Sequence, residues 1–333
     1  MEKVVIALDA MGGDYAPEQT VKGAVEAVNS SDEIRVILVG KQDMIAKELE
    51  KYEYAKEDIE VVHASEIIDM GDVPTVAIKD KKDSSLVVAM RLVQEGKADA
   101  LVSAGSTGAV LVGGQLVVGR LKGIKRPPLA PFIPTTKGFS LLIDCGANVD
   151  ARPEHLVQFA QMGSIYYENV MGKKNPTVAL LNIGTEEEKG NQLVKDTKPL
   201  MKECKNINYI GSVEARELVS GAADVIVCEA FVGNVVLKFF EGLALTLFGS
   251  LKEGLMSSTR TKLGALLVKP ALKGLKNQFD TSSQGGAPLL GLKGLVVKAH
   301  GNSSSKEIEI ALKQCISFKK QKINEKIKES ICD

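Results

Sequence analysis

Six short stretches concentrate the side chains and small residues that handle charge. They are DAMGGDYAP from Asp9, SAGSTGA from Ser103, DCGANVDARPEH from Asp144, NIGTEEEKGN from Asn182, CEAFVGN from Cys228 and AHGNSSS from Ala299. In SAGSTGA, backbone N–H groups at Gly105 and Gly108, the Ser106 and Thr107 hydroxyls and a helix dipole can converge on an anion such as phosphate. The alternative is that Gly105 and Gly108 only allow a tight turn and close helix packing. The motif matches neither GxxxxGK[ST] nor GxGxxG. In DCGANVDARPEH, Asn148 and Arg152 are candidate ligands, Asp144 a brace for backbone N–H groups and Asp150 a cap for a helix opened by Pro153. NIGTEEEKGN offers Thr185, Glu186, Lys189 and Asn191. Lys189 suits an electrostatic clamp on developing negative charge, whereas an EEEK run read alone is a solvated face. His300 can serve as a general acid or base or as a hydrogen-bonded structural residue, and His63 and His155 have less context.

Other chemistries lack their residues. There is no GxSxG elbow and no papain-like cysteine setting, and Cys145 and Cys228 read as small core residues. Asp9, Asp14, Asp144 and Asp150 are the carboxylates a divalent metal would use. No His and Cys cluster or DxDxDG loop accompanies them, and Asp9 and Asp14 read better as residues that orient the first loop. No metal or cofactor is expected.

The elements that must position these loops are short apolar runs alternating with helical patterns. Strand-like runs cover Val4–Leu8, Val36–Val39, Val61–Val62, Ala100–Val102, Phe139–Ile143, Val178–Leu181, Tyr209–Ile210, Val225–Val227 and Leu295–Lys298. Helical spacing marks Val21–Val28, Met44–Leu49, Ser84–Glu95, Ala109–Val118, Leu156–Val170 and Leu193–Cys204. This alternation predicts a mainly parallel sheet covered by helices, with the chemical loops at its carboxyl edge. PPLAPFIPTT, Pro127 to Thr136, bridges two halves or makes an antiparallel excursion. The tail from Phe318 to Asp333 is expected as a charged helix.

Lys plus Arg and Asp plus Glu both count 42 in 333 residues, so no global basic field recruits nucleic acid. Five scattered cysteines, Cys145, Cys204, Cys228, Cys315 and Cys332, read as free thiols of a reducing cytoplasm. Glu2 and Asp9 interrupt any signal-peptide pattern, so no export is expected. Twenty uncharged positions, Ala100 to Gly119, are long enough for a bilayer, but their glycines and hydroxyl residues lower the hydrophobicity too far. Arg260 to Lys276 carries five basic and no acidic residues beside Leu263, Leu266, Leu267 and Val268. With Pro270 breaking it, residues 254–278 are expected as a basic, apolar helical hairpin inserted in one large α/β domain spanning 1–333. Its apolar face suits an anionic membrane surface or a dimer interface.

Taken in order, these loops resemble the bacterial acyl-ACP:phosphate acyltransferases, the PlsX family. RPPLAPFIPT, GGAPLLGLKG and KAHGNS add to the match, which runs from Asp9 to Ser303. The resemblance implies a three-layer α/β/α fold related to isopropylmalate dehydrogenases and phosphotransacetylases, with a protruding helical hairpin. It implies a homodimer in the cytoplasm, peripherally bound to the inner face of the cell membrane, with acyl carrier protein and orthophosphate as partners. Gly105, Ser106, Thr107, Gly108 and Asn148 would hold phosphate. Lys189 and Asn234 would offset charge on phosphate or oxyanion, and His300 would assist proton transfer. Leu263, Leu266, Leu267 and Val268 would touch the membrane. The chain departs from the family's pattern at Ser106, Ser212, Glu229, Ala230 and Val232, and FDTSSQGGA lacks a tyrosine before its glycines. Two rival readings are a metal- and NAD-dependent hydroxy-acid dehydrogenase and a non-catalytic scaffold binding ACP and membrane.

Overall fold

The computed structural model describes residues 3–279 and 285–331; Cys332 and residues 280–284 of FDTSSQGGA lie outside them. The described residues up to Pro131, Gln161–Asn175 and those from 285 onward form one unit. Phe132–Ala160 and the residues from Pro176 to 279 form a second.

The strands of the first unit are β1 (Val4–Asp9), β2 (Ile34–Gly40), β3 (Ile59–His63), β4 (Ala100–Ser103), β10 (Ala287–Leu289) and β11 (Leu295–Lys298). The second unit holds β5 (Phe132–Thr135), β6 (Gly138–Ile143), β7 (Thr177–Asn182), β8 (Asn208–Glu214) and β9 (Val225–Val227). Their sheets are ordered β10-β11-β4-β1-β2-β3 and β5-β6-β9-β7-β8. All pairings are parallel except β10 with β11 and β5 with β6. Inner strands such as VVIALD and ALVS are buried almost throughout, which is why they read as unbroken apolar runs. β5 and β10 escape that pattern because each is short and carries a proline, Pro134 or Pro288; both lie on sheet edges, where a missing donor is tolerated.

The helices are α1 (Glu18–Asn29), α2 (Gln42–Leu49), α3 (Pro74–Asp80), α4 (Ser85–Gln94), α5 (Thr107–Gly113), α6 (Pro153–Met171), α7 (Gln192–Glu203), α8 (Ala230–Met256), α9 (Thr259–Gln278), α10 (Ser305–Lys320) and α11 (Ile323–Ile331). The stretch Ala100 to Gly119 is β4, a loop, α5 and a π-helical turn at Gly114–Val118, so no single helix occupies it. The C-terminal tail is not one helix. α10 ends at Lys320, Lys322 takes φ 53°, and α11 begins anew; Phe318, Ile323 and Ile327 are buried, so this end packs.

Pro270 does not break its segment. It lies inside the continuous α9, and the chain turns at Ser257 and Ser258 between α8 and α9, so the hairpin's first arm reaches back to Ala230. The two arms pair, with the Phe240 and Phe279 rings 6.4 Å apart. Among the described residues, α8 is the one helix long and apolar enough to cross a membrane, and little of it is buried. Phe231, Val235, Phe239, Leu243, Leu247 and Leu251 recur every fourth residue as an exposed stripe along it. Leu263, Leu266, Leu267 and Val268 on α9 are exposed as well.

Candidate active site

In the first unit β1 sits between β2 and β4, so successive strands are added on opposite sides of it. Such a switch point leaves a crevice beyond the carboxyl ends of β1 and β4, where ligands of open α/β sheets bind. The loops after β1, β4 and β11 meet there. Ser103 donates its hydroxyl hydrogen to Asp9 Oδ2 at 2.7 Å and accepts the Gly105 N–H at 3.1 Å. Asp14 N–H donates to Gly301 O at 2.7 Å, joining the first loop to the last, and Ala299 N–H donates to Ser103 O at 2.9 Å.

Two glycines make this approach fit. A Cβ on Gly12 would stand 2.4 Å from Asp9 Oδ2 and 2.8 Å from Gly105 N; Gly13, at φ +107°, lies against Ala104 and Gly301 O. Ser106 is buried at the start of α5 without a capping bond from its hydroxyl, and Thr107 is exposed. His300 is exposed, and its carbonyl accepts the Ser303 N–H. Burial pushes the Asp9 carboxyl up, against the pull of Ser85, Ser103, the Met11 N–H and the Lys298 charge.

In the second unit β9 lies between β6 and β7, which sets the loops after β6 and β9 side by side. Asp144, fully buried, gathers the loop after β6. Its Oδ1 accepts from Ala147 N at 3.1 Å, and its Oδ2 from Asn148 N at 2.8 Å and Asn148 Nδ2 at 2.7 Å. Asn148 O in turn accepts the Ala230 N–H at 3.2 Å. A Cβ on Gly233 would stand 1.9 Å from Asp144 O, so only glycine lets the start of α8 close on this loop. Asn234 follows, partly buried.

The departure at Glu229 is accommodated. Its longer carboxylate still caps α8, accepting from Phe231 N at 2.6 Å and Val232 N at 2.9 Å. Val232 packs against the second unit's core. At the start of α6 the Arg152 N–H donates to His155 Nδ1 at 3.1 Å, filling the capping place expected of Asp150.

Lys189 is exposed in the loop after β7, and Asn191 serves as the cap of α7, accepting from Val194 N. The residue that holds this loop is Lys198, which sequence reasoning missed. It is 4 % exposed and its Nζ donates to Glu186 O at 3.0 Å, Glu187 O at 2.8 Å and Lys189 O at 3.0 Å. Asn182 Nδ2 adds bonds to Gly184 O and Lys189 O. A signal existed: Val194, Lys198 and Met201 follow i, i+4, i+7 spacing, which puts a lysine on the apolar face of α7.

The site residues read from the sequence thus divide between the two units. Asp9, Asp14, Gly105, Ser106, Thr107, Gly108 and His300 lie in the first, and Asp144, Asn148, Lys189 and Asn234 in the second. No activated cysteine accompanies them: burial pushes the Cys145 and Cys228 thiols well up, with the Asp144 carboxylate adding to both. Among the described residues, no three His, Cys, Asp or Glu side chains group to hold a metal.

The fold is shared with a phosphotransacetylase from Streptococcus pyogenes, at TM-score 0.66 and 17% identity over 94% of this chain and 93% of that one. A 4-hydroxythreonine-4-phosphate dehydrogenase from Klebsiella pneumoniae also matches, at TM-score 0.52 and 14% identity over 95% and 100%. Sequence relatives are far closer. A phosphate acyltransferase from Alkaliphilus oremlandii is 55% identical over 326 residues, 98% of this chain and 97% of that protein. One from Clostridium acetobutylicum is 50% identical over 324 residues, 97% and 98%. The fatty acid synthesis protein family matches residues 4–326. With six loops at the carboxyl ends of two parallel sheets and relatives of this closeness over nearly its whole length, the chain belongs to the PlsX family of phosphate acyltransferases.

Proposed function

We propose that the protein transfers a long-chain acyl group from acyl-ACP to orthophosphate, giving an acyl phosphate and free ACP. The observation that carries this reading is the meeting of the loops after β1, β4 and β11, where the Ser103 hydroxyl joins Asp9 to the Gly105 N–H at the start of α5. Bound phosphate is its own nucleophile. One of its oxygens attacks the thioester carbon, the tetrahedral oxyanion collapses, the C–S bond breaks and the ACP thiolate leaves with a proton. Gly105, Ser106, Thr107, Gly108 and Asn148 position phosphate; Lys189 and Asn234 offset charge on phosphate and oxyanion; His300 serves proton transfer to the leaving sulfur. High thiol pKa values at Cys145 and Cys228 agree with a route that uses no enzyme nucleophile.

The α8–α9 arm suggests where the product goes. Its exposed apolar stripes and its basic residues suit an anionic membrane surface at the inner face of the cell membrane, and apolar area of this kind also suits pairing of two copies. The test incubates the purified protein with hexadecanoyl-ACP and phosphate, without metal or nicotinamide, and follows hydroxylamine-trapped acyl phosphate beside free ACP. Phosphate-dependent formation of both is expected; binding of ACP without either product would reject the reading. In a flotation arm with anionic vesicles, Leu266→Glu combined with Leu267→Glu is expected to abolish binding. Undiminished flotation would remove the membrane role.

A further inference from the structure

The segment between β3 and α4 is a closed excursion with an apolar tip. Its base is sealed by Glu66 N–H to Asp83 O at 3.1 Å, Ser85 N–H to Glu66 O at 3.2 Å, and Ser65, whose N–H and hydroxyl both donate to Asp83 Oδ2. Inside it, Lys81 Nζ donates to Ile67 O at 2.9 Å and to Asp72 Oδ2 at 2.5 Å, while the Asp69 N–H donates to the same Asp72 oxygen. Ile68, Ala77 and Ile78 are buried beneath it. The segment is therefore held in one shape by its own bonds.

Its tip presents Met70, Val73 and Val76, which are 54%, 62% and 53% exposed. Exposed apolar side chains gathered in this way mark a binding surface rather than a scatter. The tip leans on two of the loops of the crevice. Pro74 Cγ stands 2.6 Å from where a Cβ of Gly108 would lie, and Met70 Cε 3.2 Å from that of Gly301. The apolar tip is thus continuous with the loop that carries Gly105 to Gly108 and with the loop that carries His300.

We infer that Met70, Val73 and Val76 form the apolar wall that receives the acyl chain of the thioester substrate. The inference rests on the acyl-transfer reading above. An attacking phosphate oxygen and the thioester carbon must come within about 3–3.5 Å, so the first methylenes lie beside the anion-holding loop. A fatty chain leaving that point in the first unit meets this tip, where the Asp72 charge is already matched by Lys81.

The experiment compares kcat/KM for hexadecanoyl-ACP and butanoyl-ACP in the wild type and in Val73→Ser combined with Val76→Ser. Both positions are exposed, so the fold tolerates the change. The hexadecanoyl-to-butanoyl ratio is expected to fall about tenfold or more. An unchanged ratio overturns the inference, and an unchanged ratio with a loss of dimer by size exclusion would assign the tip to a second copy instead. A binding arm separates this from the reaction. The chain has no tryptophan, so Val76→Trp reports locally. Its emission is expected to shift to the blue with an S-hexadecyl-pantetheine thioether and not with the S-butyl one. Equal responses or none overturn the inference whether or not turnover is found. A wild type that makes no acyl phosphate from either thioester fails the acyl-transfer reading on its own.

Discussion

The two units solve one problem in different ways. A loop that leaves the carboxyl end of a parallel strand carries backbone N–H and C=O groups with no ladder partner, and each needs one. The first unit answers with bonds from loop to loop and one hydroxyl, Asp14 N–H to Gly301 O, Ala299 N–H to Ser103 O and Gly105 N–H to Ser103 Oγ, an approach that Gly12 and Gly13 permit. The second answers with charged side chains that collect backbone dipoles, Asp144 taking N–H groups and Lys198 giving to carbonyls. Loops tied from beneath by a buried charge can carry long side chains such as Lys189 outward.

The comparison breaks first at Gly233, the one place where the second unit depends on contact as tight as any in the first. Gly233→Ala puts a methyl 1.9 Å from Asp144 O, and neither a strand-end carbonyl nor a helix start can move aside cheaply. The expected cost is about 3 kcal/mol or more, seen as a Tm drop of about 5 °C or more. An unchanged Tm would mean that the loop after β6 is held by Asp144 alone.

Lys198 comes next. Lys198→Met keeps the stem's packing but takes a charged donor from three carbonyls, of which Glu186 O keeps the Lys189 N–H and Lys189 O keeps Asn182 Nδ2, with an expected cost of about 2 kcal/mol. Hydrogen exchange sharpens the test. Amides from Gly184 to Gly190 should exchange faster while those of Gly105 to Gly108 keep their protection, and kcat/KM should fall with the loosened loop. Equal loosening of both loops would show that the units are not stabilised independently.

The strands of both parallel sheets were legible because VVIALD, IRVILVG, ALVS and LVVK are buried on both faces and read as unbroken apolar runs. The loops were legible because glycine, asparagine and acidic residues gather where those runs stop. Three features were not. Of the antiparallel edge strands, β5 was read only as one alternative for Pro127 to Thr136 and β10 not at all, because Pro134 and Pro288 argue against a strand everywhere except at an edge. The 27-residue α8 begins in a loop-like CEAFVGN, packs Val232, Val236 and Leu237 against the core and leaves a stripe of other apolar residues exposed, so no single buried face marks it in the sequence. Pro270 reads as a break, yet α9 absorbs it, since a proline inside a helix removes one hydrogen bond and bends the helix without having to end it. Lys198 shows the limit for the site: its type suggests solvent, its spacing suggests core, and only the carbonyls around it explain how both hold.

The smallest expected effect tests a buried charge of the first unit, Asp9. Asp9 holds Ser103, which in turn fixes the Gly105 N–H, so its carboxylate serves the crevice at a cost to the fold. Burial raises its pKa above the ordinary 3.8, so between those two values the folded protein binds more protons than the unfolded chain. The stability this group contributes is complete below the ordinary value and is lost as pH rises through the raised one. Asp9→Asn mimics the protonated form at every pH. The variant should match the wild type near about pH 4 and be the more stable of the two near about pH 8, while turnover drops about tenfold. A variant less stable than the wild type at both pH values would make the ionised carboxylate, with the Lys298 charge acting on it, a net support of the fold. The first unit would then rest on a buried charge as the second does, and the contrast between them would narrow to their glycines.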